Sequence, residues 1–166
     1  AAREAGGAAV LLDRLQSPDR RGGGARSRDE GEKQPDAEQA AGAAAVVVSS
    51  LPAGTEAFEC GIIRVRDTLK ALQDLACRHR KASDDLFVVG ITGSNGKTST
   101  KDFLSAVLSA GGQVNRTAGN LNNHIGVPLT ILSVPADAEI AVIEMGANHR
   151  KEIESYCSYT LPTHGI

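Results

Sequence analysis

Tryptophan is absent from these 166 residues, and three Phe with two Tyr hold the aromatic share to 3%. No aromatic cluster can therefore anchor a core, which must be built from Val, Leu, Ile and Ala. No apolar run approaches the roughly 20 residues of a membrane span, and the Ala- and Arg-rich start lacks the continuous apolar stretch of a signal peptide. We expect a soluble, cytoplasmic chain that does not bind membranes. Neither sign of charge prevails: 18 basic residues face 20 acidic ones, for a net charge of -2. That leaves no basic footprint for nucleic acid, so function is expected from a local site on a monomer. The cysteines, Cys60, Cys77 and Cys157, are odd in number and far apart, which excludes a disulfide framework and a CxxC pair. They are expected as buried, reduced thiols. His79, His124, His149 and His164 are equally scattered, and none stands at zinc-ligand spacing from a cysteine.

Residues 1–36 are Ala-, Gly- and Arg-rich and mix both charges densely, with Gly22, Gly23 and Gly24 inside. Such a leader cannot bury enough apolar surface to offset its ordering entropy, and disorder is expected over residues 17–35. A short helix is expected over residues 1–13, running into the apolar stub Val10, Leu11 and Leu12. A similar pattern returns at residues 37–43, followed by a strand at 44–49. After a Pro/Gly turn at 51–55, residues 62–65 read as another short strand. Asp67 or Thr68 can cap the next helix, whose Leu69, Leu72, Leu75, Ala76 and His79 share one face. Arg78, Arg80 and Lys81 suit its C-terminal end, and His79 is expected as a partly buried helix residue.

Residues 86–92 form a continuous apolar run of the kind covered on both faces of a sheet. A helix follows from Lys97 to Ala110, with Phe103, Leu104, Val107 and Leu108 on one side and Gly111 and Gly112 as its stop. A strand at 113–117, a polar loop, a helix near 127–133, a strand at 140–145 and a helix near 149–157 complete the series. That alternation predicts an α/β fold with a mainly parallel sheet flanked by helices.

Between that strand and helix lies Gly93-Ser94-Asn95-Gly96-Lys97-Thr98-Ser99. Glycines let successive N–H groups converge on phosphate oxygens, the helix N-terminus adds partial positive charge, and Lys97 adds a full one. The Thr98 hydroxyl can ligate Mg²⁺, so a nucleoside triphosphate is the implied ligand. The common phosphate loop would place a glycine at Ile91; here the pattern is GxxGKT, with a further Gly90. Glu144 ends the strand at 140–145 and opens Glu144-Met145-Gly146-Ala147-Asn148-His149. In open α/β sheets ligands sit at the carboxyl ends of strands, so Glu144 can either hold Mg²⁺ beside the phosphate loop or cap the next helix. Asn148 and His149 can likewise be helix caps. The amide-rich stretch from Thr117 to Pro128 can be a plain turn-rich loop.

Taken together, residues 90–98, 118–128 and 142–149 resemble the central ATPase domain of the Mur ligases, a resemblance that also accounts for the unusual glycine spacing. It covers residues 40–166, including the helix near 67–76. Within the family the AGNLNN and EMGANH stretches are most similar to the branch that joins D-alanyl-D-alanine to UDP-N-acetylmuramoyl-tripeptide. The resemblance implies an ATP-dependent amide ligase of peptidoglycan precursor synthesis, with ATP and Mg²⁺ as cofactors. ATP would phosphorylate a substrate carboxylate, and an incoming amine would displace phosphate from the acyl phosphate. By the same resemblance Lys97 would contact the β- and γ-phosphates, Thr98 one Mg²⁺, and Glu144 a second that bridges ATP and the carboxylate. Asn120, Asn122 and Asn123 would shape the loop beside the acceptor substrate.

The implied organisation is a leader at 1–36, a remnant of an N-terminal α/β domain at 37–66, a linker helix at 67–83 and the N-terminal part of the ATP-binding domain at 84–166. The family's metal-binding histidine, its later lysine and its C-terminal domain are expected beyond Ile166, and no uridine-binding Asp-Ser-Arg or Asp-Thr-Arg is present. A chain of this extent is expected at most to bind Mg-ATP. The alternatives are a noncatalytic nucleotide-binding fragment and another Mur or folylpolyglutamate synthetase-type ligase. A GTPase would carry a guanine-reading Asn-Lys-x-Asp, which is lacking.

Overall fold

The structure, a computed structural model, describes residues 45–51 and 60–166. The expected leader at 1–36, the helical stretches at 1–13 and 37–43, and all of the turn after Leu51 lie outside the described residues. The chain divides between Thr68 and Leu69 into two compact units.

In the first unit, β1 (Ala45–Val48) pairs in parallel with β2 (Gly61–Arg64), Ala45 opposite Gly61 and Val48 opposite Arg64. The ladder continues one step further, where Val65 N–H donates to the Val48 carbonyl at 2.9 Å. Val46 and Val48 are buried while Ala45 and Val47 are partly exposed, the alternation of a strand with one covered face.

The second unit contains α1 (Thr68–Lys81), β3 (Phe87–Ile91), α2 (Lys97–Leu108), β4 (Val114–Arg116), α3 (Gly126–Leu132), β5 (Ile140–Glu144), α4 (Glu152–Thr160) and β6 (His164–Gly165). Its four strands are all parallel, in the order β4-β5-β3-β6. The short β6 pairs Val89 with His164 and Gly90 with Gly165. An α/β fold with a parallel sheet and flanking helices is thus what the alternation of elements predicted.

Successive β-branched residues point to opposite faces, and each face has its own helices. On one, Val88, Ala141, Ile143 and Met145 pack with Val127 and Ile131 of α3, Tyr156 and Tyr159 of α4 and Ala76 of α1. On the other, Val89, Ile91 and Val142 pack with Leu104 and Leu108 of α2. Gly90 lies between β6 and the core, where an added Cβ would meet the Met145 methyl at 3.2 Å. The buried Arg80 ties α1 to the end of α4: its guanidinium donates to the Thr160 carbonyl at 3.2 Å and the Ser83 carbonyl at 2.7 Å. This meets one of the carbonyls that a helix leaves unpaired at its last turn.

Several expectations need correction. Phe103 and Val107 of α2 are 75% and 71% exposed, because the sheet covers only the stripe carrying Leu104 and Leu108, and the neighbouring stripe points away. Leu75 of α1 is exposed for the same reason, whereas Leu72 and Ala76 are buried. The cysteines are free but only half-buried. His79 is partly buried, as expected, with Nε2 at 3.2 Å from the Val134 carbonyl oxygen. α4 starts at Glu152 rather than near 149, since Lys151 takes a left-handed φ of 71° that interrupts the helix. Among the described residues no helix is long and apolar enough to cross a membrane.

Candidate functional site

β3 and β5 are neighbours in register, Ile91 opposite Glu144, so the loop after β3 and the end of β5 emerge side by side. The turn that starts α2 needs glycine at two places: Gly93 has φ 136° and Gly96 φ 78°, both in the region that an L side chain rarely adopts. Gly96 is also the residue at the N-cap of α2, which has no side-chain cap. The amides of the first helical turn thus lack intrahelical acceptors and stand available to an anion. Lys97 folds back over the loop, its ammonium donating to the Gly93 carbonyl at 2.7 Å. A cavity of about 350 Å³ opens here, lined by Ser94, Asn95, Gly96, Lys97, Thr98, Ser99, Asn122 and Glu144.

Glu144 is 2% exposed and is held from three sides. Its Oε1 accepts from the Thr98 hydroxyl at 3.2 Å and from the Asn122 carboxamide at 2.9 Å. Its backbone N–H donates to the Thr117 hydroxyl at 2.9 Å. The other carboxylate oxygen, Oε2, is buried and has no hydrogen-bond partner among the described residues. A buried carboxylate oxygen without a hydrogen bond is costly, so its neighbourhood suits a ligand that would complete it. The Thr98 hydroxyl and the Glu144 carboxylate are hard oxygen donors, the kind that Mg²⁺ takes, and they could hold that cation beside a polyphosphate.

The three asparagines of the polar loop do different things. Asn122 lines the cavity, grips Glu144 through its side chain, and accepts the Gly146 N–H on its carbonyl at 2.7 Å. Asn123 turns its Oδ1 onto the N–H groups of Ile125 and Gly126, at 3.0 and 2.8 Å, and thereby shapes the entry to α3. Asn120 is exposed, and its carbonyl accepts from the Asn122 N–H at 2.7 Å. The structure therefore brings Asn122 to Glu144 and the phosphate loop, with Asn123 engaged by backbone and Asn120 at the surface.

Neither Asn148 nor His149 caps α4 by its side chain; the direction is reversed. Glu152 Oε2 accepts the backbone N–H groups of Asn148 and His149, at 2.7 and 3.0 Å, and its Oε1 lies 3.3 Å from His149 Nδ1. The hydrogen bond from the His149 N–H, followed by that from Asn148, holds the Glu152 carboxyl below its ordinary range. A depressed folded-state value means that the cap contributes above the ordinary carboxylate range and is lost as pH falls through the lowered value. In an NMR titration the Asn148 and His149 amide shifts are expected to move together, with a midpoint below that of an unpaired glutamate. Amides insensitive to acid would show that the cap does not form.

Sequence reasoning passed over Lys101 and Thr117. Thr98, Lys101 and Ser105 follow the spacing i, i+3, i+7 on α2, and Lys101 and Ser105 are buried. That polar stripe was legible beside the apolar one. Thr117 carried no comparable signal, because its role depends on the β4–β5 register.

Residues 91–166 match the Mur ligase middle domain. Over 93 residues the chain is 52% identical to the UDP-N-acetylmuramoyl-tripeptide--D-alanyl-D-alanine ligase of Bacillus subtilis, covering 56% of this chain and 20% of that protein. Over 98 residues it is 48% identical to the Escherichia coli enzyme of the same name, covering 59% of this chain and 22% of that one. The chain thus spans about a fifth of the length of these relatives. Among solved structures, MurF from Acinetobacter baumannii aligns with a TM-score of 0.70 at 34% identity, over 78% of this chain and 28% of that one. The MurF ligase from Thermotoga maritima in complex with ADP aligns with a TM-score of 0.67 at 32% identity, over 76% and 29%.

Proposed function

Residues 91–166 belong to the Mur ligase middle-domain family, and from that premise we propose that this chain supplies the phosphate-binding part of an ATP-dependent amide ligase. The reaction is the joining of D-alanyl-D-alanine to UDP-N-acetylmuramoyl-tripeptide, the activity named for its relatives in Bacillus subtilis and Escherichia coli. ATP transfers its γ-phosphoryl group to the tripeptide carboxylate, releasing ADP. The dipeptide amine then attacks the acyl phosphate, phosphate leaves, and an amide bond forms.

The observation that carries this assignment is the convergence of Lys97, Thr98, Asn122 and Glu144 on one cavity at the carboxyl ends of β3 and β5. Lys97 and the amides of Gly93 to Ser99 bind and orient the β- and γ-phosphates, spreading their charge over many donors. Thr98 and Glu144 would hold Mg²⁺, which when bound would supply neutralisation of phosphate charge. Asn122 fixes the Glu144 carboxylate through Oε1. Support for a nucleotide ligand also comes from the ADP bound to the Thermotoga relative. Asn120 and Asn123 belong to the loop that this proposal places beside the acceptor. The organisation into an N-terminal remnant at 37–66, a linker helix at 67–83 and an ATP-binding segment at 84–166 is part of the same proposal, as are a monomeric state and a cytoplasmic setting.

Calorimetric titration of this chain with Mg-ATP tests the assignment. Saturable binding is expected for Mg-ATP and Mg-ADP and not for AMP, which has no phosphate beyond the α position for Lys97 to reach. A folded chain that binds neither Mg-ATP nor Mg-ADP overturns it.

A further inference from the structure

Lys101 is an unusual lysine: its side chain is 5% exposed, and its ammonium lies 3.8 Å from Glu144 Oε2, itself on a side chain only 2% exposed. A buried ammonium loses its hydration and persists only where charge and geometry compensate it. Two carboxylates do so here. Besides Glu144, Asp102 Oδ1 stands 3.6 Å away, and Asp102 is held in turn by Arg116 of β4 at 2.7 Å. A chain of alternating charge thus runs from Arg116 through Asp102 and Lys101 to Glu144.

The separation of 3.8 Å is too long for a hydrogen bond, and Oε2 has none from any described residue. Oε1, by contrast, carries two, from Thr98 and Asn122. Lys101 therefore attracts the carboxylate by charge without consuming the lone pairs of Oε2. A neutral residue of the same length would leave that oxygen without its opposite charge, and the carboxylate would be free to turn about the Oε1 contacts.

We propose that Lys101 is a positioning residue for the divalent cation of the site, acting through Glu144 by fixing Oε2 in a ligating orientation while leaving it unbonded. This rests on the proposed Mg-nucleotide function of the same cavity. It assigns to the inner stripe of α2 a role that neither the phosphate loop nor the EMGANH stretch contains. Lys101 touches neither nucleotide nor cation. Its own charge opposes a bound cation, so the proposal requires the orienting effect to exceed the repulsion.

The test uses Mn²⁺ as the probe, with free Mn²⁺ read by electron paramagnetic resonance in the presence of saturating ADP. Lys101→Met is expected to weaken Mn²⁺ binding by about tenfold, the size of effect usual for a residue that orients a metal ligand. Lys101→Arg, which keeps the charge, is expected to restore most of it, and metal-free ADP affinity is expected to stay unchanged in both. In a Glu144→Gln background Lys101→Met is expected to have no further effect, because the group through which it acts is gone. Where Lys101→Met yields no soluble protein, Lys101→Gln removes the charge while keeping a donor near Oε2. A variant with a lowered melting temperature but native Mn²⁺ affinity would show a purely structural lysine and overturn the proposal. Tighter Mn²⁺ binding would overturn it too, by showing that the ammonium only repels the cation. Native protein that binds neither ADP nor Mn²⁺-ADP would overturn the proposed function, and this inference with it.

Discussion

Lys97→Ala is expected to weaken Mg-ATP binding by about 100-fold, corresponding to about 3 kcal/mol, while leaving the fold intact. The size follows from what the ammonium is positioned to do. It sits at the start of α2, donates to the Gly93 carbonyl at 2.7 Å and lines the cavity, so it can reach a polyphosphate laid along the loop. Hydrogen bonds to charged partners contribute about 1.5–3 kcal/mol each, and a phosphate chain offers more than one acceptor. The fold is expected to survive because the backbone of the loop is set by the positive φ of Gly93 and Gly96, not by the lysine. Lys97 is also only half-buried and outside both core clusters. Calorimetry with Mg-ATP, alongside circular dichroism and a melting curve, separates the two effects. A variant that binds within about threefold of the native chain, less than 1 kcal/mol, would remove the lysine from the phosphate site.

Much of this was legible in the sequence because local rules and tertiary packing agree there. The run at 86–91 and the segment Ile140 to Ile143 are made of apolar residues and glycine at consecutive positions, the pattern of a strand covered on both faces, and both became central strands. Gly93 and Gly96 announced a turn that only glycine makes comfortably, and the turn is there. What the sequence did not disclose depends on partners distant along the chain. Phe103 and Val107 look as much like core as Leu104 and Leu108 do, and only the placement of the sheet decides between the stripes. Lys101 is legible as one member of a polar stripe on α2, but its partner Glu144, far along the chain, is brought beside it only by the fold. The three asparagines were indistinguishable as letters. Their division into one that grips Glu144, one that shapes a helix entry and one at the surface comes from how the loop is threaded between β4 and α3. Thr117 is the extreme case, since a single backbone N–H at the end of a neighbouring strand defines its task.

That threading makes Gly126→Ala the second large effect. An added Cβ at Gly126 would fall on the backbone of Leu121, against its Cα and carbonyl atoms, and backbone cannot swing aside as the tip of a side chain can. Either α3 or the loop before it has to move. α3 is pinned: Val127 and Ile131 are completely buried in the core, and Thr130 donates to the Gly126 carbonyl at 2.9 Å. The loop is pinned as well, through the Asn123 side chain on the Gly126 N–H and through Asn122 on Glu144 and Gly146. Overpacking of this kind is expected to cost about 3 kcal/mol, read as a shift of the urea midpoint at unchanged slope. The displaced loop should also carry Asn122 away from Glu144, so nucleotide-dependent Mn²⁺ binding is expected to weaken in whatever fraction stays folded. Gly119→Ala is the control. Gly119 has φ 51° but open space around its Cβ position, so only the left-handed backbone penalty of about 1–2 kcal/mol applies there. Equal losses from the two alanines would mean that the close approach of Gly126 to Leu121 does not hold the loop. A clearly larger loss at Gly126, accompanied by weakened Mn²⁺ binding, would tie the stability of α3 to the geometry of the carboxylate it helps to place.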